Sequence, residues 1–207
     1  KDYQNRVLGS LRDFFRQCSK DGRPEAAFQA VQLRNNRQPV PYLPVAVAGL
    51  SPGMPYVCLR VPTGGGKTLL ACYAAGLAKD ELLLHAKRAV VLWLVPSTAI
   101  LDQTAAALRD PRHPYRWALE SACGAVEVVT IEEALRLSRA TVDGQTVVIV
   151  STLQAFRVED PTGRKVYDQN GIFLEHFTHV PANRRDDLKK GADGSLTLTF
   201  VGNRVVA

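Results

Sequence analysis

Apolar positions at Val7, Leu8, Leu11, Phe14 and Phe15 recur at helical spacing and predict an amphipathic helix over roughly residues 3–18. A second helix is predicted from Pro24 through Ala26, Ala27, Phe28, Val31 and Leu33. Proline suits a first helical position, where its missing N–H has no intrahelical partner to lose. The pattern then breaks at Pro39, Pro41, Pro44, Pro52 and Pro55, a clustering that reads as a connector.

Beyond the connector the rhythm becomes strand, turn, helix. Tyr56–Val61 predicts a strand, Thr68–Ala78 a helix, Ala89–Val95 a buried strand and Thr98–Leu108 another helix. Val126–Ile131 reads as a strand, Glu132–Leu137 as a short helix and Thr146–Val150 as a further strand. Short apolar strands alternating with helices indicate an α/β fold with a parallel sheet covered on both faces. The organisation expected is a helical segment over 1–38, a proline-rich connector over 39–55 and an α/β domain over 56–207. After Phe156 the pattern weakens. The turn Asp160-Pro161-Thr162-Gly163 suggests a hairpin over Val158–Tyr167, Ala182–Gly194 reads as a polar loop, and Ser195–Val206 is strand-like without a place in the pattern.

Composition narrows the class. Of 207 residues, 46% are hydrophobic and 22% charged, which supports a packed core and argues against disorder. Lys and Arg outnumber Asp and Glu 26 to 20, a balance that favours a polyanionic partner without requiring one. The cysteines, Cys18, Cys58, Cys72 and Cys123, contain no C-x-x-C pair, so a zinc site is not expected. Cys58 and Cys72 lie in apolar runs and read as reduced core residues, which fits a cytoplasmic protein. No apolar run approaches the ~18 residues needed to span a membrane, and no membrane partner is expected.

The chemistry is concentrated in Val61-Pro62-Thr63-Gly64-Gly65-Gly66-Lys67-Thr68. A strand delivers the chain to a glycine turn that wraps closely around phosphate oxygens, with N–H groups turned inward where no Cβ interferes. The following helix presents free N–H groups and the positive end of its dipole to the same anion. Lys67 adds a charge for the β- and γ-phosphates, and the Thr68 hydroxyl can ligate Mg²⁺. ATP with Mg²⁺ is therefore the expected cofactor pair, held by Pro62, Thr63, Gly64, Gly65, Gly66, Lys67 and Thr68, with Lys67 and Thr68 as the catalytic candidates. Val61 stands where the general phosphate-loop pattern has its first glycine.

V-P-T-G-G-G-K-T resembles motif I of superfamily-two DEAD/DEAH-box helicases, and most of all the Res (motor) subunit of type III restriction enzymes. That group commonly replaces the first glycine by Ala, Val or Met. Other stretches resemble the family in the same order along the chain. Tyr3-Gln4 is similar to the glutamine motif, which implies that Gln4 reads adenine through a bidentate amide; a surface glutamine on a helix is the alternative. Leu94-Val95-Pro96-Ser97-Thr98 is similar to motif Ia, which implies that Pro96, Ser97 and Thr98 meet a nucleic-acid phosphate at a helix start; an ordinary helix cap is the alternative. Val148–Phe156 is similar to a later motif, which implies that Thr152 touches the nucleic-acid backbone; a capping role at the strand end is the alternative.

The resemblance implies a RecA-like P-loop NTPase domain, here incomplete. Its implied activity is that of an ATP-dependent helicase or translocase, on duplex DNA rather than RNA, in which a restriction–modification subunit would be a partner. A helicase also needs D-E-x-H or D-E-x-D after an apolar strand, for Mg²⁺ and the attacking water. Asp80-Glu81 follows the phosphate-loop helix too closely, and Asp186-Asp187 lies in a polar run. The chain therefore reads as the N-terminal part of a longer motor whose second motor domain lies beyond residue 207. An RNA helicase remains the alternative within the class, and a module that binds nucleotide without hydrolysing it the alternative outside it. His176 and His179 share a spacing suited to one helix face but lack a third ligand; Arg184, Arg185, Lys189 and Lys190 read as a solvated basic cluster.

Overall fold

The computed structural model describes residues 1–38, 40–45, 53–134 and 136–156, together with the backbone of two short strands, Leu188–Lys190 and Leu196–Leu198. It mixes helices with a parallel sheet, an α/β arrangement. The chain divides into two compact units, one built from Lys1–Ala89 and Ala107–Val126, the other from Val90–Ala106 and Glu127–Ala207.

The first unit opens with helix α1, Asp2–Asp21, and helix α2, Pro24–Arg34. Helix α1 stops at Gly22, which takes a left-handed φ of 63° and returns its N–H to the Cys18 carbonyl at 2.8 Å. Its apolar stripe, Leu11, Phe14 and Cys18, is buried against Ala27, Tyr42 and Leu77. Burial of a side chain the size of Phe14 contributes about 1.5–3 kcal/mol. Tyr42, between Pro41 and Pro44, thus joins this core. Its ring lies 5.5 Å from that of Phe28, and its hydroxyl accepts the Tyr56 N–H at 2.9 Å.

Helix α3, Lys67–Leu77, follows the glycine loop and runs on into a single π-helical turn, Ala78–Leu82. Two helices follow later in the chain, α4 at Thr98–Arg109 and α5 at Pro114–Cys123. Helix α5 packs on α3 at close range: a Cβ on Gly76 would lie 2.5 Å from the Ala122 Cβ, so only glycine lets the backbones approach this far. Arg116 of α5 donates to the carbonyls of Leu108 at 3.3 Å and Val126 at 2.9 Å, holding both flanks of the helix.

The second unit carries the sheet. Strands β1 (Val90–Val95), β2 (Val126–Thr130) and β3 (Thr146–Thr152) are parallel in the order β1-β3-β2. The central strand β3 is buried along almost its whole length, as a strand covered on both faces must be. Two short helices, α6 (Ile131–Ala134) and α7 (Arg139–Gly144), make the crossover from β2 to β3, and Val129, Ala134 and Val147 pack there with Leu137, Val142 and Ile149. The remaining strands, β4 (Leu188–Lys190) and β5 (Leu196–Leu198), pair antiparallel.

Several expectations are corrected. Tyr56–Val61 forms no strand and the glycine loop is not fed from the sheet. The segment lies between Pro55 and Pro62, which cannot donate to a ladder, and Tyr56 spends its N–H on Tyr42. Cys58 is exposed rather than in the core, while Cys72 is buried as expected. Leu188–Lys190, within a stretch read as loop, is a strand. Helices α5 and α7 were not anticipated. The hairpin expected at Val158–Tyr167 lies outside the described residues, as do His176, His179, Arg184, Arg185, Asp186 and Asp187.

Candidate nucleotide-binding site

The glycine loop turns on two left-handed residues, Gly64 with φ 75° and Gly66 with φ 81°. Between them Gly65 is buried: a Cβ there would lie 2.5 Å from Val61 Cγ1 and 2.8 Å from the Pro62 carbonyl. The Gly65 N–H closes the turn on that carbonyl at 3.0 Å. The chain enters α3 at Lys67, as the sequence predicts, with Gly66 as an N-cap that offers no side chain. The first amide to return a helical bond to the loop is that of Leu70, to the Gly66 carbonyl at 2.9 Å. Among the described residues the amides of Gly66, Lys67, Thr68 and Leu69 have no protein acceptor. Unsatisfied N–H groups, glycines where a side chain would intrude and a positive helix end together make an anion cradle.

Lys67 is exposed, and its ammonium curls back over the loop to the carbonyls of Pro62 at 3.4 Å and Val61 at 3.5 Å. Contacts this long are weak and readily exchanged for a phosphate oxygen. Thr68, half-buried on the first turn of α3, has a hydroxyl free of hydrogen bonds to the described residues. A magnesium ion would take that hydroxyl with phosphate and water oxygens, the mixed octahedron this cation favours. No group of three or more His, Cys, Asp or Glu among the described residues is placed to hold a metal by itself. Pro62 and Thr63 form the exposed outer wall of the turn.

Helix α1 reaches the loop from the side. The Gln4 amide donates to the Gly65 carbonyl at 3.0 Å, and its Oε1 accepts from the Lys1 ammonium at 3.0 Å. The structure thus brings Gln4 to the glycine loop, 61 residues away in sequence. The Tyr3 hydroxyl donates to the same Gly65 carbonyl at 2.7 Å, a contact that no sequence spacing announces. At its other end α1 is pinned beside the π turn. Arg16 grips Glu81 in a fork at 2.7 and 3.0 Å, Arg12 approaches the same carboxylate at 3.7 Å, and Ser19 donates to the Leu82 carbonyl at 3.1 Å. The hydrogen bond and charge of Arg16 hold the Glu81 carboxyl below the usual carboxylate range. Glu81 is engaged in this ion pair, and Asp80 pairs with Lys79 at 2.7 Å.

The residues expected at nucleic acid belong to the sheet unit. Pro96, Ser97 and Thr98 form an exposed turn from β1 into α4. The Ser97 carbonyl accepts the Leu101 N–H at 2.9 Å, and its Oγ lies 3.5 Å from the Ile100 N–H, a loose cap. Thr152 closes β3, is 9% exposed, and accepts the Ala155 N–H on Oγ1 at 3.2 Å, capping the short 3₁₀ turn Leu153–Phe156. Val95 pairs with Thr152 in the parallel register, so both turns leave the sheet at its carboxyl end, the edge where open α/β sheets carry their ligands.

Comparison with protein-family models, with curated proteins and with solved structures returns no match.

Proposed function

We propose that this chain is the ATP-binding front part of an ATP-dependent DNA helicase or translocase of the superfamily-two type, built on a RecA-like P-loop NTPase domain and serving as the motor of a restriction system. The reading rests above all on one observation: the amides of Gly66, Lys67, Thr68 and Leu69, at a glycine turn from which Lys67 opens a helix, have no acceptor among the described residues. In this reading the loop amides and the α3 dipole hold the β- and γ-phosphates, Lys67 neutralises them and Thr68 supplies an oxygen to Mg²⁺. Gln4, already beside the loop, reads the adenine edge with its remaining donor and acceptor capacity. Pro96, Ser97, Thr98 and Thr152 serve the nucleic-acid backbone at the carboxyl end of the sheet.

A second reading, a nucleotide-binding module without turnover of its own, is favoured by the ion pairs that occupy Asp80 and Glu81. Comparing DNA and RNA as stimulators of ATP hydrolysis in a chain extended through a second motor domain separates a DNA motor from an RNA helicase.

The test of the site is Lys67→Ala, read by titration with a fluorescent ATP analogue. Losing one charge-assisted phosphate contact costs about 1.5–3 kcal/mol, roughly ten- to a hundredfold in affinity. Equal affinity in wild type and variant refutes the assignment.

A further inference from the structure

Tyr3 and Gln4 spend two donors on one carbonyl, that of Gly65, at 2.7 and 3.0 Å. A carbonyl oxygen has two lone pairs, so this acceptor is saturated from the α1 side. The peptide unit it belongs to joins Gly65 to Gly66. A trans peptide is planar, with its C=O and N–H pointing in opposite directions. Drawing the Gly65 carbonyl toward α1 therefore turns the Gly66 N–H away from α1, and that N–H is one of the loop amides with no acceptor among the described residues.

The peptide needs such a hold. It lies between two glycines, and with no Cβ on either side a flip of the unit meets little steric resistance. The neighbouring bond from the Gly65 N–H to the Pro62 carbonyl fixes the preceding peptide, not this one. The donors are themselves anchored, because the Arg16–Glu81 fork and the Ser19–Leu82 bond keep α1 from sliding along α3 and its π turn.

We propose that Tyr3 is a positioning residue of the phosphate loop: its hydroxyl, together with the Gln4 amide, sets the Gly65–Gly66 peptide so that the Gly66 N–H faces the bound polyphosphate. This deepens the nucleotide-binding reading above and rests on it. The recognition it serves is independent of the base, since it acts through a backbone amide on phosphate.

The experiment uses the full 207-residue chain and Tyr3→Phe, which removes the hydroxyl and keeps the ring. Affinities for ATP and for inorganic tripolyphosphate are measured by calorimetry, and thermal midpoints are recorded alongside. The expected result is a fall of about two- to tenfold, equal for the two ligands, with a midpoint shift no larger than about 2–4 °C. An unchanged tripolyphosphate affinity, or a loss confined to ATP, overturns the proposal, the latter by assigning the hydroxyl to the base. A loss accompanied by a larger fall in midpoint also overturns it, by making Tyr3 structural alone. A wild-type chain that binds neither ligand overturns the nucleotide-binding reading itself, and this inference with it.

Discussion

Gly64→Ala and Gly66→Ala add the same methyl group to the same loop, at backbone angles of φ 75° and 81°, yet they should not cost the same. A left-handed alanine costs about 1–2 kcal/mol at either position. At Gly64 nothing lies within 4 Å of the added carbon, so the cost ends there. At Gly66 the methyl would stand 2.6 Å from the Gln4 Nε2. The amide must swing away and surrender its bond to the Gly65 carbonyl, a further loss of about 0.5–1.5 kcal/mol. Gly66→Ala should therefore destabilise by about 1.5–3.5 kcal/mol against about 1–2 for Gly64→Ala. Urea unfolding followed by far-ultraviolet circular dichroism gives both numbers. Repeating the pair in a Gln4→Ala background removes the amide that the methyl displaces, and the two costs should then agree within about 0.3–0.5 kcal/mol, the usual limit of additivity. If Gly66→Ala is no worse than Gly64→Ala in the wild-type chain, or if the gap survives in Gln4→Ala, the contact between α1 and the loop is not what separates these positions.

Further outcomes follow from the same geometry. Thr68→Ala should abolish the gain in ATP affinity that Mg²⁺ confers while leaving metal-free binding nearly intact; titrations with and without Mg²⁺ check this. Under the motor reading proposed above, residues 1–207 should hydrolyse ATP only in trace, even with DNA present, because full turnover in such a motor draws on an arginine finger worth about 10³ to 10⁵ in rate; robust turnover lost in Lys67→Ala would contradict that reading. Cys58 is exposed, whereas burial pushes the Cys18 thiol up to about 11 and that of Cys72 up to about 12. A maleimide at pH 8 should thus label Cys58 well before either of these, as mass spectrometry of peptides will show. Because Arg16 depresses the Glu81 carboxyl, the stability it lends to the α1 contact is present above the ordinary carboxylate range and is lost as pH falls through the lowered value. The difference in thermal midpoint between wild type and Glu81→Gln should be largest at neutral pH and close as the pH falls from the ordinary carboxylate range through the lowered value.

Where a pattern is local, the sequence carried it. The stripe Leu11–Phe14–Cys18 marks α1, the proline at Pro24 marks the start of α2, and the glycines before Lys67 mark the opening of α3. Strand β3 was legible as an apolar run because a strand covered on both faces has no polar side to interrupt it; β1 carries the same kind of run but is not the buried strand its pattern predicts, since Val90, Leu92 and Leu94 are exposed. Tyr56–Val61 is the instructive failure. Its apolar residues fit a strand, but a strand exists only through a partner, and partner choice is a tertiary matter. Helix α5 was missed although Pro114 at its start and Gly124 at its end bracket it, because its buried residues, Ala118, Leu119 and Cys123, are small or sparse and give a weak stripe. In the candidate site the loop itself was readable, since glycine freedom and helix polarity are local properties. The convergence of Tyr3 and Gln4 on Gly65 joins residues about sixty positions apart, and only the packing of α1 on α3 creates it.

The Tyr42 hydroxyl, by receiving the Tyr56 N–H, fixes two points 14 residues apart beside one another. A change of chain length between these two points therefore hardly reaches the glycine loop that starts a few residues downstream. Doubling such a length costs only about 0.6 kcal/mol in closure entropy. The consequence is practical: an affinity tag or fluorophore-bearing peptide inserted between Tyr42 and Tyr56 should be carried without retuning the loop, whereas an insertion of any size between Tyr56 and Gly64 would push directly on it.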